Sequence, residues 1–156
     1  MTIQEGKAAP AFTLTNQEGD KVSLKDFRGT HVILYFNPRD NTPGCTKEAC
    51  GFRDFNKEIQ ALDAIILGVS PDSVESHRKF IAKHSLNFDL LSDPDRKVMT
   101  RYGAFGEKKM YGKTVQGVIR STVWIGADGK VVKHWRRVAK AADHPEKVFE
   151  ALKTAT

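Results

Sequence analysis

Two uninterrupted apolar runs, His31 to Phe36 (HVILYF) and Ala64 to Ser70 (AIILGVS), constrain this chain more than any other feature. Both are short and rich in strand formers, so each reads as a buried strand, the first of them central. Between them Phe52, Phe55, Ile59 and Leu62 recur at helical spacing, which predicts a helix from about Cys45 to Leu62. Strand, helix and strand in this order commit the chain to a sheet with helices packed on it.

The remaining segments extend that frame. Phe12 to Leu14 and Lys21 to Leu24 flank Asn-Gln-Glu-Gly-Asp and read as an N-terminal hairpin. Ser73 to His84 is helical, with Val74, His77, Phe80 and Ile81 roughly on one side; Phe88 to Leu91 is a short strand. Asp95 to Tyr102 reads as a short helix ended by Gly103. Ala104 to Gly117 is basic and lacks periodicity, so the expectation there is a surface loop. Ser121 to Ile125 and Val131 to Trp135 straddle Asp128-Gly129, a strong hairpin signal. A last helix fits Pro145 to Leu152, with proline in its first turn. The expected order is β-β-β-α-β-α-β-α-β-β-α: a thioredoxin-like α/β fold with an N-terminal β extension and a mixed central sheet flanked by helices. Length predicts one domain over residues 1–156, with a core large enough to fold without disulfide staples or a structural metal.

Composition narrows the setting. The longest apolar runs fall far short of a membrane span, and Met1 to Ala9 has no signal-peptide core, so a cytoplasmic protein is expected. A net charge of +6 permits weak attraction to polyanions without arguing for it. The basic runs Lys108-Lys109 and Lys133 to Lys140 come with no nucleic-acid motif and read as a solvated face, so no specific nucleic-acid partner is expected. Two cysteines are too few for a secreted scaffold; in a reducing cytosol a close pair reads as redox chemistry or metal binding. His31, His77, His84, His134 and His144 are scattered, and no zinc-like Cys/His spacing appears, so neither a metal nor another cofactor is expected.

The chemistry concentrates in Pro38-Arg39-Asp40-Asn41-Thr42-Pro43-Gly44-Cys45, which joins the first buried strand to the first turn of the long helix. There the backbone N–H groups are unpaired and the helix dipole is positive, which favours a thiolate at Cys45. Thr42 offers a hydroxyl that can accept and donate; Pro43 and Gly44 shape the turn, and Pro38 is placed to shield the site from water. Ionisation alone is a weak lever. A thiol of pKa about 8.5 is roughly 3% thiolate at pH 7. Full ionisation therefore gains about thirtyfold, or about 2 kcal/mol. A fast reaction also needs donors for charge on a leaving group. Taken singly, each residue has a plainer reading: Cys50 as a packed small residue, Arg120 as a surface cation, Thr42 as a helix cap, Glu48 as a first-turn acid.

Pro-x-x-x-Thr-x-x-Cys after an apolar strand resembles the active-site signature of peroxiredoxins. The fuller run Thr42 to Cys50 (TPGCTKEAC), followed by Phe52-Arg53-Asp54, resembles the peroxiredoxin Q (bacterioferritin comigratory protein) subfamily. So do Leu90-Leu91-Ser92-Asp93, Tyr111-Gly112-Lys113 and Gly117 to Thr122 (GVIRST). The likeness runs over nearly the whole chain. Asn37 stands where an aromatic residue is expected, and Val123-Trp124 where Phe-Leu is more usual. The resemblance implies a peroxidatic Cys45 and a resolving Cys50 that close a disulfide. It implies Thr42 and Arg120 as the residues holding peroxide and thiolate, Glu48 as the residue orienting the arginine, and thioredoxin or a similar dithiol as reductant of a hydroperoxide-consuming enzyme. An intramolecular disulfide removes any need for an intersubunit one, so a monomer or weak dimer is expected. Two other readings remain: a thiol–disulfide oxidoreductase, which would normally carry Cys-x-x-Cys at the helix start, and a non-enzymatic binder of nucleic acid or unfolded chains.

Residues five apart on a helix have Cα atoms about 8 to 9 Å apart, beyond the roughly 7 Å reach of a disulfide. Cys45 and Cys50 therefore cannot bond while that stretch is helical, and oxidation is expected to unwind it. Gly51 weakens a helix by about 1 kcal/mol relative to alanine, which points to easier opening there.

Overall fold

The computed structural model describes residues 3–155, with the backbone alone at Met110; Met1, Thr2 and Thr156 of the expected domain lie outside the described residues. Its elements run β1 (Thr13–Thr15), β2 (Lys21–Ser23), a 3-10 turn (Leu24–Phe27), β3 (His31–Phe36), α1 (Pro43–Gln60), β4 (Ala64–Ser70) and α2 (Val74–His84). After these come β5 (Asp89–Ser92), α3 (Lys97–Arg101), β6 (Phe105–Met110), β7 (Lys113–Val118), β8 (Ser121–Ile125), β9 (Val131–Trp135) and α4 (His144–Ala155).

Seven strands form one mixed sheet in the order β2-β1-β5-β4-β3-β8-β9. β3 pairs in parallel with β4, and β4 with β5, because each connection carries a helix; β8 runs antiparallel to β3 with Phe36 opposite Ser121. Alternation along β3 divides the core. Val32, Leu34 and Phe36 face a cluster with Leu67, Met99, Tyr102 and Val123. Ile33 and Tyr35 face the other, with Phe52, Ile59, Phe80, Val148 and Leu152 from α1, α2 and α4. Helices thus cover the sheet, as the buried strands required.

α1 begins two residues earlier than expected, at Pro43, whose fixed φ suits the first helical position. Its buried face, Cys45, Glu48, Ala49, Phe52, Asn56 and Ile59, follows the three-and-four spacing. α2 is capped by Ser73, whose hydroxyl accepts the Ser76 N–H at 3.1 Å.

One expectation fails. Ala104 to Gly117 is not a loop but the greater part of an antiparallel hairpin, β6 with β7, whose register runs from Phe105 opposite Val118 to Met110 opposite Lys113. Lys109, Lys113, Thr114 and Gln116 are exposed, so no buried face writes a period into the sequence. The turn places Tyr111 and Gly112 at φ of 54° and 78°, with tyrosine where Asn or Asp would have signalled a hairpin. Among the described residues no helix is long and apolar enough to cross a membrane.

Candidate active site

Three elements bring the predicted site residues together. β3 ends at Phe36, the segment 37–42 turns, and α1 presents Cys45 in its first turn, fully buried. β8 lies beside β3, so Arg120, one residue before β8, faces the start of α1. Its Nη2 donates to Cys45 Sγ at 3.1 Å and its Nη1 to Glu48 Oε1 at 2.7 Å. The guanidinium is thus shared between sulfur and carboxylate, each reached by a different nitrogen, a geometry that lysine lacks.

Gly44 makes that approach possible. A Cβ on Gly44 would lie 3.1 Å from Arg120 Nη2, so this glycine admits the guanidinium besides shaping the turn. Arg120 is also held from behind, its carbonyl accepting the Val138 N–H at 2.9 Å.

The electrostatics follow from burial. Burial pushes Glu48 up to about 7 against the pull of Arg120, and its Oε2 has no partner among the described residues. For Arg120 burial acts downward, but Glu48 and Cys45 outweigh it and push its pKa up, so it remains a cation. His144, at the start of α4, bonds Thr122 Oγ1 through Nε2 at 2.8 Å and meets the Phe52 ring edge-on at 6.0 Å. Burial, then Lys147 and Arg120, bring its pKa down to about 4.

Thr42 does not cap α1 through its side chain. Its hydroxyl donates to the Arg39 carbonyl at 3.0 Å, while its own carbonyl accepts the Thr46 N–H at 2.8 Å. The hydroxyl proton is thereby committed to the loop, and its lone pairs remain to accept. The Gly44 and Cys45 amides have no carbonyl one turn back within the helix and point out of its N-terminus. Pro38 is half-buried in the same loop. Asn37 is buried with Oδ1 lacking a partner among the described residues.

Both cysteines are free thiols, and both lie in the unbroken α1. Gly51 proves to be more than a weak point. A Cβ there would lie 2.8 Å from Pro145 Cγ, so Gly51 is where α4 closes onto α1, and the expected gain from alanine meets a steric obstacle. Sequence reasoning also missed a buried cluster behind the loop, in which Asp40, Asp72 and His77 offer ligand atoms within 4.8 Å of one another. His77 looked isolated because the fold, not the spacing, gathers it with two acids. The available signal was His77 on the apolar side of α2, where a polar ring requires a partner.

The comparisons with known proteins agree with this geometry. A family model described as the AhpC/TSA family matches residues 6–134. Peroxiredoxin Bcp of Bacillus subtilis is 45% identical over 153 residues, covering 98% of this chain and 97% of the relative. Among solved structures, the bacterioferritin comigratory protein of Xanthomonas campestris, described for its alkyl peroxide reduction activity, superposes with a TM-score of 0.90 at 38% identity, covering 97% of this chain and 99% of that one. A cysteine-to-serine variant of Xylella fastidiosa PrxQ gives 0.91 at 34% identity, covering 98% and 97%. The chain belongs to the AhpC/TSA family, alongside the Bcp and peroxiredoxin Q proteins, and its sheet and helices are of the thioredoxin-like peroxiredoxin type.

Proposed function

We propose that this protein is a thiol-specific peroxidase that reduces hydrogen peroxide and organic hydroperoxides by a two-cysteine cycle within one chain. The observation that carries the reading is the Arg120 guanidinium, 3.1 Å from Cys45 Sγ and 2.7 Å from buried Glu48, at the N-terminus of α1. In the first step the Cys45 thiolate attacks the terminal oxygen of the hydroperoxide. The S–O bond forms as the O–O bond breaks, and the departing alkoxide or hydroxide takes a proton from solvent. Arg120 and the amides at the start of α1 stabilise the charge that builds on sulfur and oxygen. Thr42, its proton held by Arg39, accepts from the peroxide O–H and so orients it.

In the second step the Cys50 thiol attacks the sulfenic acid on Cys45, a disulfide forms and water leaves. A thioredoxin-type dithiol then reduces the disulfide and is itself oxidised. We assign the whole cycle to a single chain acting as a monomer or weak dimer in a reducing cytoplasm, with the free thiols of both cysteines as the resting state. The test couples peroxide consumption to NADPH oxidation through thioredoxin and its reductase. Turnover is expected with the native protein and none with folded Cys45→Ser; native-like turnover by that variant would overturn the assignment.

A further inference from the structure

The active-site loop is fastened on the side away from Arg120. The Asp40 N–H donates to Asp72 Oδ2 at 2.7 Å. The Asp40 carboxylate accepts from Ser76 Oγ at 3.0 Å and lies 2.7 Å from His77 Nδ1. Asp40 and His77 are 6% and 1% exposed, a degree of burial that charged or polar groups reach only when paired. At Asn41 the backbone is left-handed, with φ of 66°, and the Asn41 side chain accepts from Lys83 Nζ at 3.3 Å. The segment leading to Thr42 and Cys45 is therefore held by α2 and by the turn before it.

The remaining atoms of the cluster show what it is for. His77 Nε2 faces the Leu91 carbonyl at 3.1 Å and Ser70 Oγ at 3.5 Å. The Ser70 hydroxyl donates to Asp72 Oδ2 at 2.7 Å, so toward His77 it too is an acceptor. Oxygen atoms thus flank both ring nitrogens, and the buried imidazole is held from two sides. Asp40, Asp72 and His77 could be taken for a cation site, but an amide and two hydroxyls already aim their protons at the two carboxylates. This hydrogen-bond network crosslinks the active-site loop, β4, α2 and β5, and leaves Asp40 Oδ1 without a partner among the described residues.

We propose that Asp40 and His77 are positioning residues for Cys45. Resting on the peroxidase reading, the inference is that this buried pair holds the 37–42 segment where peroxide can react, and must release it when α1 unwinds for the disulfide. Asp40 stands two residues before Thr42, whose carbonyl starts the helix, so its position decides which amides are left free at Cys45. Loosening the pair displaces Thr42 and those amides from the reacting oxygens, and a displacement of that order costs rate steeply. The same loosening removes a restraint on opening. The two steps of the cycle therefore respond in opposite directions.

The test follows single turnovers with hydrogen peroxide for the native protein, His77→Gln, Asp40→Asn and the double variant, reading Cys45 oxidation and disulfide closure separately. The single variants are expected to oxidise about tenfold more slowly or worse. They should also close the disulfide faster and resist over-oxidation at excess peroxide. The double variant, where two amides can pair, is expected to fall short of the product of the single effects, as coupled residues do. Val22→Ala, a core change in β2 remote from the site, controls for stability loss and should shift neither step. Native-like oxidation and closure in both single variants, or strictly multiplicative effects, would overturn the pair. Absence of Cys45 oxidation in the native protein would instead sink the peroxidase reading. If the variants do not fold, hydrogen exchange at the Asp40 amide of the native protein decides: protection in the reduced form that is lost in the disulfide form is expected, and equal protection in both would overturn the proposal.

Discussion

Gly51→Ala separates what helix propensity dictates from what packing dictates. Propensity alone makes alanine stabilising by about 1 kcal/mol at this position. The new Cβ, however, would sit 2.8 Å from Pro145 Cγ and 3.3 Å from Pro145 Cβ, inside any normal carbon contact. Pro145 is buried, and its ring has no side-chain rotamer by which to yield, so α4 itself must shift. Overpacking of this kind costs about 1 to 3 kcal/mol, which cancels or exceeds the gain. The expected net change is therefore a loss of about 0 to 2 kcal/mol, and α4 loosens from the turn that carries Cys50. Disulfide closure in Gly51→Ala should not slow, although its helix is intrinsically stiffer. In a Pro145→Ala background Cγ is gone, and the gain should reappear as slower closure and greater over-oxidation than in Pro145→Ala alone. Urea unfolding of the four reduced proteins gives the coupling, expected at about 1 to 2 kcal/mol. If Gly51→Ala by itself stabilises by the full propensity difference, the close approach of α4 to α1 is wrong.

Three further outcomes follow from the site. Arg120→Ala should slow Cys45 oxidation about 10²- to 10³-fold in single-turnover measurements, with Arg120→Lys restoring little because one ammonium cannot reach both Sγ and Glu48; an unchanged rate in either would remove Arg120 from catalysis. Glu48, pushed from 4.5 up to about 7, binds its proton more tightly folded than unfolded, so it lends stability at low pH that is lost as pH rises through about 7; His144, brought from 6.5 down to about 4, acts oppositely, its contribution being lost as pH falls from 6.5 through about 4. Glu48→Gln removes the first slope, so its urea midpoint should climb with pH between about 4 and 6.5 more steeply than that of the native protein, and identical profiles would count against a raised Glu48. Amide exchange from Thr46 to Gly51 should be slow in the reduced protein and fast after oxidation, and equal protection in the two forms would refute unwinding.

Four strands of the sheet were legible to the residue. His31–Phe36, Ala64–Ser70, Ser121–Ile125 and Val131–Trp135 stand where their apolar and β-branched runs put them. In the first three, burial on both faces leaves an unbroken run, and such runs have sharp ends; the last lies at the sheet's edge and was marked by the Asp128-Gly129 turn before it. The β6–β7 hairpin was illegible for the converse reason: its surroundings are largely solvent, and its turn uses Tyr111 in a left-handed conformation. The signature loop pointed to Cys45 and Thr42, and the Gly117 to Thr122 run to Arg120, as types of residue, but neither showed what keeps them in place. Gly44 against Arg120 and Gly51 against Pro145 are contacts between segments remote in sequence, and a glycine carries no mark of which neighbour fills its missing Cβ. Asp40 and His77 are 37 residues apart, and only the parallel pairing of β3 with β4 brings the loop under α2.

The proposed cycle makes opposed demands on one helix, and the distribution of burial along α1 reconciles them. Peroxide attack as proposed needs the first turn fixed, since the roles proposed for Cys45, Glu48 and Arg120 rest on contacts of 2.7 and 3.1 Å. The disulfide needs that same turn undone. From Cys45 to Gly51 the helix buries only Cys45, Glu48 and Ala49, so little apolar surface holds these turns to the core. From Phe52 onward the anchoring changes: Phe52 stacks on Tyr35 at a centroid distance of 4.8 Å, Asn56 donates to the Asn87 carbonyl at 3.0 Å, and Ile59 is fully buried. An opening that starts at Pro43 therefore meets its first strong resistance at Phe52, just beyond Cys50. The reactive geometry is held by polar contacts made to Arg120 and Asp40, which can be exchanged for water, whereas the half of α1 that must persist is held by apolar packing, which cannot be exchanged at so small a cost.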